Sequence, residues 1–144
     1  MYKHIMIATD GSDLAAKAVT HGIAMAKALG SRVTVLTVKE PARSFVAEGV
    51  VVIPAKEVAE AAERHAETVL AAAADRASTV GVTAARMSVV SDQPWRAIID
   101  AARAKEADLI VMASHGRRGL SAMLLGSETQ KVLTHSAIPV LVYR

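Results

Sequence analysis

Short runs of β-branched and apolar residues alternate along this chain with longer alanine-rich stretches of helical period, and this alternation limits the fold more than any other feature. It marks repeated strand–helix–strand units, whose strands pair in parallel under helices on both faces. The predicted strands are 4–8, 33–38, 87–90, 109–113 and 139–143. Segments 109–113 and 139–143 are apolar at consecutive positions, so the first, second, fourth and fifth strands read as central or well covered. The first helix starts at Ser12 or Asp13, either of which can cap it, and ends at Gly30, which suits a left-handed turn. The longest, 54–80, spaces Val58, Ala62, Ala66, Val69, Ala73, Ala77 and Val80 by three and four as its packing face, with Glu57, Glu60, Glu63, Arg64 and Glu67 toward water. A third opens with Asp92 as cap and Pro94 in its first turn, and buries Trp95, Ile98, Ile99 and Ala102. A fourth begins near Gly126 and Ser127 and closes before Pro139. Residues 39–53, with Pro41, Gly49 and the run Val50-Val-Val-Ile53, read as a loop or lid. No internal repeat or Pro/Gly/Ser-rich linker interrupts the pattern, so one domain over 1–144 is expected.

Composition narrows the function classes. The chain is 52% apolar and 22% charged, which excludes disorder and low complexity. It has no cysteine, and therefore no disulfides, thiolate metal sites or Cys nucleophile; a reducing, cytoplasmic setting is expected. The longest stretch without Asp, Glu, Lys or Arg, residues 132–143, is too short to span a bilayer, and no signal-peptide core opens the chain, so no membrane partner is expected. Net charge is +3, and the surplus lies wholly after residue 100, where Arg103, Lys105, Arg117, Arg118, Lys131 and Arg144 face only Glu106, Asp108 and Glu128. With four aromatic residues and no dense basic stripe, nucleic acid is a poor partner, whereas one small anionic ligand near the C-terminal third fits.

In an open parallel sheet, ligands sit beyond the carboxyl ends of the strands where the strand order reverses. Those ends deliver Ala8-Thr-Asp-Gly-Ser12, Val38, Ser91-Asp92 and Ala113-Ser-His-Gly-Arg-Arg-Gly119, the last running on to Gly126-Ser127 at a helix start. Glycines admit close backbone approach, and a helix N-terminus attracts phosphate. Hydroxyls at Ser127 and Thr129, with Arg117 and Arg118, complete an anion-binding set. The plainer alternative is a post-strand turn, an ordinary N-cap and solvated arginines. Neither a Walker A loop nor G-x-G-x-x-G after the first strand is present, which excludes P-loop NTPases and dinucleotide-binding dehydrogenases. The five histidines lack metal-ligand spacing with a carboxylate, His115 reads as making a structural hydrogen bond, Trp95 as core, and no G-x-S-x-G elbow supports a hydrolytic triad.

The opening His4-Ile-Met-Ile-Ala-Thr-Asp-Gly-Ser12, the segment Asp108-Leu-Ile-Val-Met-Ala-Ser-His-Gly116, the Gly126-Ser127 helix start and the terminal Ile138-Pro-Val-Leu-Val142 together resemble, over the full length, a single-domain universal stress protein. That family's ATP signature is Gly, two residues, Gly, nine residues, Gly, then Ser or Thr; here Gly116, Gly126 and Ser127 fit it, and Ala113 replaces the first glycine. The resemblance implies a Rossmann-like α/β fold with a five-stranded parallel sheet and helices on both faces. It also implies that ATP, or AMP or ADP, binds with Mg²⁺ or Mn²⁺ held through the phosphates. In that reading Asp10 contacts ribose or the metal, and the main chain of Ala8 and Thr9 lines the adenine pocket with Val38 at its edge. Met112 and Ala113 lie under the nucleotide, Gly116 and Arg117 wrap the phosphates, and Gly126, Ser127 and Thr129 bind them. Two departures stand out: the Ala113 methyl as an obstacle, and Glu128 beside the phosphates, read as facing solvent and favouring the helix dipole.

The function expected from this resemblance is a nucleotide-dependent stress-response switch with at most slow ATP hydrolysis, because no residue qualifies as a dedicated base. A homodimer through the last strand and an unidentified protein client are its implied partners. Two rivals stand beside it: a nucleotide-free dimeric interaction module, and an AMP- or ATP-using enzyme of the related hydrolase-like superfamily.

Overall fold

A computed structural model describes residues 1–117 and 124–144. Along the chain lie β1 (His4–Ala8), α1 (Asp13–Leu29), β2 (Arg32–Lys39), β3 (Phe45–Ala47), β4 (Val50–Ile53), α2 (Ala55–Thr79), β5 (Ala84–Val90), α3 (Pro94–Ala104), β6 (Leu109–Ala113), α4 (Ser127–His135) and β7 (Val140–Tyr143). The five predicted strands form one parallel sheet in the order β5-β2-β1-β6-β7. The chain therefore builds outward from β1 on one side, returns, and builds outward on the other, so the order reverses between β1 and β6.

Strand alternation decides which layer each side chain feeds. Ile5, Ile7, Val33, Val35, Leu109 and Val111 face α1 and α2, meeting Val19, Ile23, Leu70, Ala73 and Ala77. Met6, Ala8, Leu36, Ile110 and Met112 face the other way and meet Ile98, Ile99, Ala101, Ala102 and Val132 of α3 and α4. Burial of each large side chain here contributes about 1.5–3 kcal/mol. Gly22 lets α1 approach this sheet: a Cβ there would lie 2.7 Å from Ile7 Cδ1 and 3.4 Å from Val111 Cγ1.

The capping signals in α1 act as read. Ser12 is the N-cap, its hydroxyl accepting from the Ala15 N–H, and Gly30 closes the helix at φ 68°. The α2 face is half as read: Ala66, Ala73 and Ala77 are buried, but Leu70 packs in the core and Val80 is exposed.

Three readings are corrected. Strand β7 lies at the sheet edge and is half-buried throughout, because an apolar run reports two covered faces and not two paired edges. The N-cap of α3 is Gln93 and not Asp92; the Ser91 hydroxyl accepts from the Gln93 N–H, and Glu128, from another helix, takes the Trp95 N–H. The segment read as a loop or lid contains the antiparallel hairpin β3–β4, whose seven strand residues are all exposed. Among the described residues, no helix is long and apolar enough to cross a membrane.

Candidate functional site

Asp10 leaves the end of β1 beside the point where the strand order reverses, and its two carboxylate oxygens are held by two different loops. Oδ1 accepts from the Ser12 N–H at 2.9 Å, and Oδ2 accepts from the Arg117 N–H at 2.8 Å. The β6 loop comes this close because residue 116 is glycine: a Cβ there would lie 2.3 Å from Asp10 Oδ2. Gly11 is fixed twice over, by φ +81° and by Val69 Cγ2, which would lie 2.6 Å from an added Cβ. Thr9 donates its N–H to the Leu36 carbonyl, and its hydroxyl accepts from the Gly11 N–H at 3.2 Å.

Burial by itself would raise the Asp10 pKa. Hydrogen bonds from the Ser12 hydroxyl and N–H and the Arg117 N–H, with the Arg117 charge, outweigh that effect and hold the carboxyl below its ordinary value. A group lowered in the folded state adds stability above its unfolded pKa, 3.8 here, and loses it as pH falls through the folded value. Asp10→Asn is accordingly expected to cost about 1–2 kcal/mol at neutral pH through the charge-assisted hydrogen bonds it weakens. The variant should also lose stability less steeply below about pH 4 than the parent. Urea unfolding across the acid range measures both, and parallel curves would remove Asp10 from the acid response.

On the other side of the site, the Gly126 N–H donates to the Ser114 carbonyl at 2.7 Å and folds the α4 start back over the end of β6. A Cβ on Gly126 would lie 3.2 Å from His115 Cα, tight against main chain. The N-cap of α4, Gly126, has no side chain to offer, so among the described residues no side chain caps the N–H groups of its first turn, which suit an anion. The hydroxyl of the buried Thr129 donates to the Ala113 carbonyl at 3.0 Å, so its proton is already committed to the end of β6. Ser127 is exposed, and Ser114 bonds the His115 ring at 3.2 Å, the structural role expected for that histidine.

The geometry places Ala8, Thr9, Asp10, Val38, Met112, Ala113, Gly116, Arg117, Gly126, Ser127 and Thr129 at one end of the sheet or on the loops and helix start that leave it. They do not present themselves alike. Ala8, Met112 and the half-buried Val38 turn their side chains into the α3/α4 core. The Ala113 methyl packs with Ala15 and Ala18 of α1, and so points away from the expected phosphate path. Glu128 is partly exposed as expected, but its carboxylate is not free: Oε2 takes the Trp95 N–H at 2.8 Å, capping α3, while Oε1 lies 3.3 Å from Lys131 Nζ. Arg118 and Gly119 lie outside the described residues.

Sequence reasoning missed His65, whose Nε2 sits 3.4 Å from the Asp10 carbonyl, and the Lys39–Glu63 ion pair that ties the end of β2 to α2. Their signal is weak, because α2 reaches the site only once the fold brings its outer face over the β1 loop. Among the described residues, no group of three or more His, Cys, Asp or Glu could hold a metal.

Comparison with known proteins gives a consistent result. The family model described as "Universal stress protein family" matches residues 1–144. A protein of Thermus aquaticus, "Universal stress protein in QAH/OAS sulfhydrylase 3'region", is 35% identical, with all of both chains covered. Among solved structures, the protein MJ0577, described as a test case of structural genomics, superposes with TM-score 0.83 at 27% identity, covering 99% of this chain and 96% of its own. A universal stress protein solved in complex with cAMP superposes with TM-score 0.74 at 26% identity, covering 99% of this chain and 97% of its own.

Proposed function

This chain belongs to the universal stress protein family, and from that premise we propose that it binds ATP at the carboxyl edge of the sheet and works as a nucleotide-dependent switch with at most slow hydrolysis. The observation that carries the reading is the convergence of three fixed features: the ionised Asp10, the side-chain-free Gly116 pressed against it, and the uncapped start of α4 behind Gly126. A structural neighbour's complex with cAMP, an adenine nucleotide, supports the same site chemistry.

The residues fit a phosphate chain better than a resident metal. Anionic oxygens can take the first-turn N–H groups of α4 and the Arg117 guanidinium. Mg²⁺ or Mn²⁺ would be held chiefly by those phosphates, with Asp10 as the one carboxylate of the set, and would neutralise their charge. Asp10 is a weak base, since its pKa is lowered. This supports binding with little turnover and disfavours the enzymatic alternative.

Ala113 and Glu128 are the two departures from the family signature that would favour the nucleotide-free alternative. The methyl of one packs against α1 and the carboxylate of the other is bound to α3, so neither blocks the site. We further propose a homodimer through β7, whose outer edge has no neighbour among the described strands, a cytoplasmic location, and a single domain over 1–144. Isothermal titration with ATP·Mg²⁺ is expected to show saturable binding, with turnover below about one per second. Absence of heat at millimolar nucleotide would overturn the reading, and faster turnover would favour the enzyme.

A further inference from the structure

Helices α3 and α4 pack on the same face of the sheet, and a groove of about 190 Å³ lies on their outer side, lined by Trp95, Arg96, Ile99, Asp100, Arg103 and His135. Its floor is apolar: Ile99 is buried, and Trp95, the only tryptophan of the chain, is half-buried with its indole 4.5 Å from the His135 ring, centre to centre. Its rim is charged. The ion pairs among the described residues join Lys39 to Glu63 and Lys131 to Glu128. The guanidinium groups of the exposed Arg96 and Arg103 make neither an ion pair nor a hydrogen bond among the described residues, and the Asp100 carboxylate, between them on the helix, takes neither. Glu128 is spent on the Trp95 N–H and on Lys131, so it does not neutralise the rim.

We infer that this groove is a docking surface for an acidic, extended segment of a partner protein, with two carboxylates flanking one apolar side chain. Tryptophan and arginine are the side chains that carry most binding energy where proteins meet. An aromatic floor edged by unpaired guanidinium groups selects a ligand that is apolar in the middle and anionic at both ends. The spacing sets the register. Arg96 and Arg103 are two helical turns apart, about 10.5 Å along the axis. A polyproline II segment returns to the same side every third residue, about 9.3 Å on, so carboxylates at positions i and i+3 reach both arginines. Of the two side chains between them, one lies over Trp95 and Ile99. This surface is separate from the sheet edge, and the inference stands whether or not nucleotide binds there.

The intact protein supplies its own reporter, because Trp95 is its only indole. The probe is the blocked hexapeptide Ser-Glu-Pro-Leu-Glu-Ser, with a control in which both Glu are Gln. Titration is expected to shift Trp95 emission saturably, with the Gln control about tenfold weaker and the peptide weakened further as salt is raised. The double variant Arg96→Glu/Arg103→Glu changes only exposed side chains; it should keep its far-ultraviolet circular dichroism and lose about tenfold or more in peptide affinity. Four results would overturn the inference. These are no saturable shift at millimolar peptide, equal binding of the Gln control, unchanged affinity in the charge-reversed variant, or inorganic phosphate giving the same shift and displacing the peptide, which would make the rim a simple anion spot. A shift with phosphatidylserine vesicles but none with the peptide would likewise replace the protein partner with a lipid surface.

Discussion

Gly126→Asp is expected to weaken ATP binding by about a hundredfold, roughly 2.7 kcal/mol, while leaving the protein nearly as stable as the parent. The two effects separate because of where the residue sits. Gly126 is the N-cap of α4, with φ −60° and ψ 150°, an extended conformation that aspartate adopts without strain. Its carboxylate can take the open N–H groups of the first turn and favour the helix dipole, which stabilises the helix. That same carboxylate occupies the place proposed for phosphate and repels it. The cost is the 3.2 Å approach of the new Cβ to His115 Cα, which a few tenths of an ångström of backbone movement relieves. Titration calorimetry and thermal unfolding of one preparation read both quantities. Unchanged ATP affinity would defeat this placement of the phosphates, and a large loss of stability would show that glycine at 126 serves the fold.

The second large effect lies in the core. Gly22→Ala should destabilise the protein by about 2 kcal/mol, within the usual range for overpacking and despite the better helix propensity of alanine. The reason is the 2.7 Å separation between the new Cβ and Ile7 Cδ1, on a side chain with no exposed surface into which to swing. Ile7→Val removes that one carbon. Alone it should cost about 1 kcal/mol; combined with Gly22→Ala it should cost less than the two changes summed, because the methyl removed makes room for the methyl added. Urea midpoints of the four proteins in the cycle measure the coupling, and strict additivity would show that α1 clears the sheet by shifting as a whole.

How much of this was legible in the sequence depends on how local each cause is. The ends of α1 could be read because Ser12 caps through a residue three positions on and Gly30 turns the chain where it stands. The strands could be read because both faces of β1 and β6 are covered, which imposes unbroken apolar runs over residues 5–8 and 109–113. The start of α3 could not, since the acceptor for the Trp95 N–H comes from Glu128, 33 residues later. Hairpin β3–β4 escaped for the opposite reason: with both strands exposed, its apolar residues carry no in–out alternation. At the site, Asp10, Gly116 and Gly126 were named from their pattern, but what each does rests on distances. Gly116 is small because a carboxylate lies against it, and the Ala113 methyl is harmless because strand pleat turns it toward α1. His65 carries no local signal of its role, because it reaches over the β1 loop from a helical position 55 residues away.

The placement of β1 at the centre of the sheet also sets a timetable for the chain as it is made. Ile5 pairs with Val33 on one side but with Leu109 on the other. At ordinary ribosomal rates, the second partner follows the first strand by about 5–20 s. For that interval β1, β2 and then β5 can pair under α1 and α2, while the open edge of β1 and its Met6 and Ala8 face wait for β6, α3 and α4. The nascent half-sheet, with an unpaired strand edge and an uncovered apolar face, is exposed to wrong pairing during that interval. Asp10 leaves the ribosome 107 residues before Arg117, whose N–H secures it, so a ligand of this edge can stabilise the chain only after β6 and the loop behind it have emerged.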